Sequence, residues 1–82
     1  MTKKQLQTVV NVFKKVSNQY GITEQMVRHD NDKRVYIDGD IFDFYWNYGT
    51  GWDFRNTLDK ELEKRGLWLE PEYGTIFLVN EN

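Results

Sequence analysis

Two groups of aspartates are the residues of this chain with the clearest capacity for chemistry. Asp30 and Asp32 form one pair, and Asp38, Asp40 and Asp43 form a second group. Paired carboxylates divide general acid and base roles when a cleft gives them different environments. These aspartates stand at or near predicted hairpin turns, where aspartate is favoured by its hydrogen bonds to the backbone. We therefore interpret them as turn residues and predict that the protein is not an enzyme.

The single histidine and the calcium-like aspartate spacings do not complete a reactive or metal-binding site. His29 adjoins Asp30, but neither Ser nor Cys stands beside it in sequence, which favours a structural role for its side chain. A calcium loop beginning at Asp30 would need glycine at its sixth position and glutamate at its twelfth, where the chain has Val35 and Ile41. The second aspartate group fails the same test. We therefore predict neither a metal ion nor a cofactor.

Length and composition limit the function further. With 82 residues, the chain is expected to form a single compact domain, residues 1–82, whose thin core leaves little room for deep pockets. It has no cysteine, no apolar run long enough to cross a bilayer and no secretory signal pattern at its start. We therefore expect a cytoplasmic protein without a membrane partner.

Charge is distributed unevenly, although the net charge is only −2. Residues 1–23 carry four lysines and no acidic residue, whereas residues 24–53 carry seven acidic residues against three basic ones. The small net charge does not favour a nucleic-acid partner through bulk attraction. The absence of alanine and the bias towards Lys, Asn, Asp and Tyr are typical of small accessory proteins of AT-rich bacteria and their phages.

Two amphipathic helices are predicted. The first runs from about Thr2 to Tyr20, begins with a capping box of Thr2 and Gln5, and ends at Gly21. Its apolar stripe has helical spacing and consists of Leu6, Val9, Val10, Phe13, Val16 and Tyr20. The second helix follows the glycine-containing loop of residues 47–51 and ends at Gly66. Its narrower stripe consists of Phe54, Leu58 and Leu62.

The strands are predicted in hairpins, two within residues 25–47 and one within residues 67–80. Gly39 suits the first central position of a type II′ turn, which would pair Tyr36 with Asp43. An odd-length loop in the preceding hairpin would pair Arg28 with Tyr36 and Val27 with Ile37. The expected fold is therefore α+β, an antiparallel sheet of about five strands with two helices, in the order α-β-β-β-α-β-β.

The register of the hairpin around Gly39 would place rings and charges together on one outward face. The predicted partner-binding residues lie on this face or in the loop after it: Arg34, Tyr36, Asp38, Asp43, Tyr45, Tyr48 and Trp52. Aromatic side chains with polar tips on a rigid support are typical of recognition hot spots, and the charges would steer a partner. The alternative interpretation is that Arg28, Tyr36 and Asp43 only form cross-strand pairs.

The last hairpin is apolar on both faces. We expect one side to carry Leu67, Leu69, Ile76 and Leu78, and the other side to carry Trp68, Phe77 and Val79. Two explanations remain open for this pattern. Either the strand pair is central and covered on both sides, or the side with Trp68, Phe77 and Val79 is a self-association surface that would support a homodimer.

One segment resembles a known DNA-binding arrangement. Residues 58–79, a helix followed by a short turn and a hairpin, resemble the recognition helix and wing of winged-helix domains. The resemblance implies a DNA-binding regulator. It departs from that family because hairpins replace the compact second helix of the helix-turn-helix. In addition, the supposed recognition helix carries Asp59, Glu61 and Glu63, whereas phosphate contact favours positive charge.

From these observations we predict a non-enzymatic protein-binding module, an inhibitor or adaptor of phage or mobile-element type that acts on a host protein in the manner of anti-defence proteins. A winged-helix-like DNA-binding regulator is the first alternative, with nucleic acid as the partner. A self-associating structural or assembly protein is the second alternative.

Overall fold

The computed structural model describes residues 2–22, 26–30, 32–47 and 49–82, and within this part of the chain it has an α+β fold. The elements are α1 (Lys3–Gln19), β1 (Met26–His29), β2 (Arg34–Asp38), α2 (Asp40–Tyr45), α3 (Thr50–Glu63), β3 (Leu67–Tyr73) and β4 (Ile76–Glu81). The predicted fold class is confirmed, but the described residues form four strands and three helices. The order is therefore α-β-β-α-α-β-β, because a helix replaces the third predicted strand.

Helix α1 forms as its sequence predicts. The Thr2 hydroxyl accepts a hydrogen bond from the Gln5 backbone N–H at 3.1 Å, and the Gln5 side chain accepts one from the Thr2 N–H at 2.9 Å. This capping box satisfies two backbone donors that a helix N-terminus otherwise leaves free. The predicted apolar stripe is buried from Leu6 to Val16. Gly21 follows the helix with φ +72°, a conformation that side chains with a Cβ rarely adopt.

The four strands form one antiparallel sheet in the order β1-β2-β4-β3. The predicted register of the first hairpin is confirmed, with Val27 opposite Ile37 and Arg28 opposite Tyr36. Strand β2 pairs on its other side with β4, where Val35 stands opposite Phe77. Strands β2 and β4 are therefore the central pair, and β1 and β3 are the edges.

The predicted hairpin around Gly39 does not form. Gly39 has the positive φ that the type II′ turn requires, at 65°, but the chain then continues into α2. Ile41 and Tyr45 lie four residues apart, and this helical spacing buries both of them. The edge of β2 that the predicted strand would occupy is taken by β4. The long-range pairing of β2 with β4 therefore overrides a local sequence pattern that suits a strand as well as a helix.

The predicted grouping of the last hairpin is also wrong. Leu69 stands opposite Val79 and Glu70 opposite Leu78, because β3 continues through a bulge between Pro71 and Tyr73. Leu67 and Leu69 therefore share a side with Phe77 and Val79, and Trp68 is on the other side. A shift by an odd number of residues moves every side chain to the opposite face.

All three helices contribute to one core on a single side of the sheet. Phe13 of α1 lies 6.2 Å from Phe77 of β4 between ring centroids, and Phe77 lies 4.9 Å from Tyr45 of α2. Phe54 of α3 packs edge-to-face against Tyr45 at 6.2 Å. The inward side chains of the strands complete this core: Val27, Val35, Ile37, Leu67, Phe77 and Val79. The outward side chains project from the sheet face away from the helices.

Candidate functional site

The sheet face away from the helices is the candidate functional site, and we call it the open face. Strand alternation and register place on it Met26, Arg28, Arg34, Tyr36, Asp38, Trp68, Glu70, Tyr73, Ile76 and Leu78, and an ion pair with Arg34 adds Glu72. Sheets in small two-layer folds commonly leave one face in water, and polar residues then alternate with the buried ones. Here that face carries many apolar and aromatic side chains instead.

Three of the five large apolar side chains that are exposed in the described part of the chain belong to the open face. Met26 is 53% exposed, Trp68 46% and Tyr73 72%. Tyr36 and Ile76 stand opposite one another, and Tyr73 continues their row onto β3. The rings therefore flank an aliphatic centre of Ile76 and Leu78. An exposed apolar patch with a polar border is typical of an interaction surface.

A polar strap crosses the centre of this face. The Arg34 Nε of β2 donates to Glu72 Oε2 of β3 at 3.0 Å, and its Nη1 donates to Asp32 Oδ2 at 3.2 Å. Because β4 lies between β2 and β3, the Arg34–Glu72 pair spans the strand that carries Ile76 and Leu78. The two carboxylates raise the pKa of the Arg34 guanidinium, so this cation stays charged while it partly shelters the aliphatic centre.

Asp30 anchors the β1–β2 connection. Its Oδ1 accepts hydrogen bonds from the backbone N–H groups of Asp32 at 2.8 Å and Arg34 at 3.2 Å, and its Oδ2 accepts one from the Tyr36 hydroxyl at 3.1 Å. The Arg28 guanidinium lies 4.3 Å from the centre of the Tyr36 ring on the neighbouring strand. These contacts hold Tyr36 in one orientation. The cross-strand pairing of Arg28 and Tyr36 is confirmed, whereas Asp43 has no part in it.

The pKa of Asp30 yields a prediction of pH dependence. Partial burial raises this pKa, but the hydrogen bonds from Asp32, Arg34 and Tyr36 outweigh it and hold the value below the ordinary 3.8. A depressed carboxyl pKa stabilises the folded state above the unfolded value, and this contribution is lost as the pH falls through the folded value. Between pH 4 and pH 2, the free energy of unfolding of the wild type should therefore fall more steeply than that of Asp30→Asn, measured by urea denaturation. Parallel curves would show that the Asp30 charge contributes nothing.

Two more exposed tryptophans lie at the junction of α2 and α3. The Trp46 Nε1 donates to the Gly74 carbonyl oxygen at 2.7 Å, so this ring lies against the turn between β3 and β4. Trp52, in the first turn of α3, is 62% exposed. Gly51 beside it packs against the backbone of α2, and Arg55 donates to the Tyr45 carbonyl oxygen at 2.6 Å. Through its contact with Gly74, Trp46 adjoins the turn end of the open face.

The structure brings together only part of the predicted partner-binding surface. Arg34, Tyr36 and Asp38 are on the open face. Asp43 is exposed on α2, and Tyr45 is buried there, because residues 40–45 form a helix rather than a strand. Burial raises the pKa of the Tyr45 hydroxyl to about 12. Trp52 is exposed on α3 apart from the sheet, and Tyr48 lies outside the described residues.

The predicted self-association surface is divided between the two sides of the sheet. Trp68 is exposed on the open face, but Phe77 and Val79 are fully buried under the helices. Sequence analysis also missed Met26, Glu70, Glu72, Tyr73, Ile76 and Leu78 as parts of one surface. The signal that would have found them is the β2–β4 pairing, which depends on contacts between residues about 40 positions apart in sequence.

The open face does not carry a metal-binding group in the described part of the chain. Searching those residues finds no group of three His, Cys, Asp or Glu side chains that could hold a metal ion. His29 lies in β1, with its Nδ1 2.6 Å from the Asp30 carbonyl oxygen and its Nε2 3.2 Å from the Gln7 side-chain oxygen. These contacts join the β1 end to α1 and suit a structural role. A depression of about 330 Å³ lies beside Met26, Arg28 and Asp38.

Comparisons of the chain with protein-family models, curated proteins and solved structures gave no match. Among the described residues, none of the helices combines the length and the apolar character that crossing a bilayer requires.

Proposed function

We propose that the protein is a non-enzymatic protein-binding module that docks through its open face. In this proposal it acts in the cytoplasm as an inhibitor or adaptor of phage or mobile-element type directed at a host protein. The observation that supports it is the one-sided coverage of the sheet. The helices bury one face, while Trp68, Tyr73 and Met26 remain exposed on the other around an aliphatic centre.

The residue types of the open face are those that contribute most to protein recognition. Interface hot spots are enriched in Trp, Tyr and Arg, and they act best when neighbouring contacts exclude water around them. Trp68 and Tyr73 present large rings, and Tyr36 is already fixed by Arg28 and Asp30. Because these side chains lie on hydrogen-bonded strands, little conformational entropy would be lost when a partner docks.

A DNA-binding function receives less support from the charges. Arg28 and Arg34 are the cations of the open face, and Asp32 and Glu72 already contact Arg34. The hairpin that resembles a wing is built into the sheet, because β4 pairs with both β2 and β3. It does not project as a separate ribbon beside α3. Phosphate contacts would need a more basic surface than the open face or the β3–β4 hairpin offers.

The proposal is tested first by mapping the contact surface and then by measuring how much Trp68 contributes to the affinity. A photo-crosslinking residue placed at Leu78 should capture a protein in extracts of the native host, whereas the same residue at Asn11 on α1 should not. With that partner purified, Trp68→Ala should weaken binding by about 30-fold or more, since hot-spot truncations cost about 2 kcal/mol or more. Calorimetric titration measures the affinity, and thermal unfolding checks that the variant remains folded.

Trp52→Ala is the matched control, because Trp52 is an equally large and still more exposed ring away from the sheet. It should leave the affinity unchanged. If Trp52→Ala weakens binding while Trp68→Ala does not, the contact surface is the α2–α3 junction and the open face is not the docking site.

A further inference from the structure

We infer that the partner surface recognised by the open face is basic, with lysine or arginine side chains surrounding an apolar centre. The inference rests on the proposed function, because it assigns the chemistry of the partner at that same face. Its basis is the distribution of charge across the two layers of the molecule, which is more one-sided than the net charge of −2 suggests.

Carboxylates outnumber guanidinium groups on and around the open face. The acidic side chains there are Asp30, Asp32, Asp38, Glu70 and Glu72, and the basic ones are Arg28, Lys33 and Arg34. Five negative charges against three positive ones leave this region with a net charge of −2. The aromatic rings therefore lie in an acidic surround.

Helix α1, on the opposite side of the sheet, carries charge of the opposite sign. Lys3, Lys4, Lys14 and Lys15 are exposed on α1, and residues 2–22 contain no acidic residue. Helix α1 packs against the buried side of β1 and β2. The molecule is thus polarised, with a basic helix behind the sheet and an acidic face in front. Such a charge distribution orients the protein electrostatically during diffusional encounter, so that the acidic face approaches a basic surface first.

The apolar centre determines what such a partner must offer besides charge. Leu78 and Ile76 lie under the Arg34–Glu72 strap, and Trp68 stands at one end of the face opposite Asn80. A partner that brings apolar side chains to this centre and basic side chains to its border satisfies both features of the face. Nucleic acid could stack its bases on the exposed rings, but its phosphates would face the carboxylates.

The test uses synthetic probes and the intact protein. The first probe is a 15-residue peptide that alternates lysine and leucine, the second has glutamate in place of lysine, and the third is a 15-nucleotide oligo-dT. Amide chemical shifts are followed by NMR during each titration. The lysine peptide should perturb residues of β2, β4 and β3, and its affinity should fall about tenfold or more between 50 and 300 mM NaCl, as screening shortens the range of exposed charges.

Matched charge reversals on the two layers separate this mechanism from general attraction. Glu70→Lys reverses an exposed charge that makes no ion pair with the described residues, and it should weaken the lysine peptide about fivefold through lost complementarity. Lys14→Glu makes the molecule more acidic on the helical layer, so it should not weaken binding. Equal effects of the two reversals, with opposite signs, would mean that only net charge matters and would overturn the inference.

The remaining outcomes distinguish this inference from the proposed function. If the glutamate peptide perturbs the open face instead, the face docks proteins but the assigned partner chemistry is wrong. Preference for oligo-dT, or lysine-peptide shifts confined to residues outside the open face, also overturns the inference. A molecular mass that doubles with concentration in sedimentation, and that Glu70→Lys returns to monomer, would make a second copy of the chain the occupant.

Discussion

Replacement of Phe77 with alanine is expected to lower the free energy of unfolding by about 3–5 kcal/mol, the range for truncating a buried phenylalanine. Phe77 is fully buried on the central strand β4, and its ring contacts those of Phe13 and Tyr45. A domain of 82 residues has a total stability of only about 4–12 kcal/mol at 0.05–0.15 kcal/mol per residue. The variant should therefore be partly or wholly unfolded at 37 °C, which circular dichroism and urea denaturation measure.

Trp68→Ala is the control on the same hairpin, because its side chain is on the open face. It should lower the free energy of unfolding by only about 1–2 kcal/mol, because Trp68 is 46% exposed and loses less buried apolar area than Phe77 does. Phe77→Leu should retain most of the wild-type stability because it leaves a smaller cavity. A folded Phe77→Ala protein with wild-type stability and reduced self-association would contradict the buried position of this ring and favour the sequence-based alternative.

The helices could be predicted because their determinants are local. The Thr2–Gln5 capping box, the stripe of α1 and the terminal glycine Gly21 lie within one segment of about 20 residues. Helix α3 is similarly determined by Phe54, Leu58 and Leu62, all of which are fully buried. In both cases the sequence pattern matches the helical period, so propensity, capping and burial agree on the same structure.

Helix α2 could not be predicted in the same way, because its segment suits two structures. Residues 40–45 alternate well enough for a strand, and Gly39 provides the positive φ of a hairpin turn. Strand β4 decides between strand and helix, because it pairs with β2 and leaves residues 40–45 without a place in the sheet. The i,i+4 spacing of Ile41 and Tyr45 then allows a helix to bury both residues. Pairing over such a sequence distance is not visible in a local pattern.

Prediction of the candidate site succeeded only where the strand register was correct. The odd-length loop between β1 and β2 predicted Arg28 opposite Tyr36, and this register is confirmed. The outward position of Trp68 follows from the register of β3 against β4, in which Trp68 stands opposite Asn80 and a bulge lies between Pro71 and Tyr73. A one-residue error in such a strand exchanges the core and solvent sides completely. The composition of the open face therefore had to come from the structure.

Substitution of Gly51 by alanine is the second change with a large expected effect. A Cβ at this position would lie 2.4 Å from the Phe44 carbonyl oxygen and 2.8 Å from that of Tyr45. Both atoms belong to the backbone of α2, so relief requires the helices to move apart and disturbs the 2.6 Å bond from Arg55 to Tyr45. Overpacking of this kind costs about 1–3 kcal/mol or more. That exceeds the gain of about 1 kcal/mol from replacing glycine in a helix.

Thermal unfolding measures the net loss, and the midpoint should fall by about 4–8 °C for each kcal/mol lost in a domain of this size. Gly49→Ala is the matched control, since a Cβ there would meet only the Asn47 side-chain oxygen at 3.4 Å, an ordinary contact. Its midpoint should remain close to that of the wild type. If Gly51→Ala instead raises the midpoint, helix propensity outweighs the contact, and α2 and α3 do not approach as closely as described.

The same substitution should also be felt at the β3–β4 turn, because Trp46 joins the α2–α3 junction to Gly74 at the end of that hairpin. The Gly51→Ala variant should therefore perturb the amide resonances of Tyr73 and Gly74, while Gly49→Ala should not.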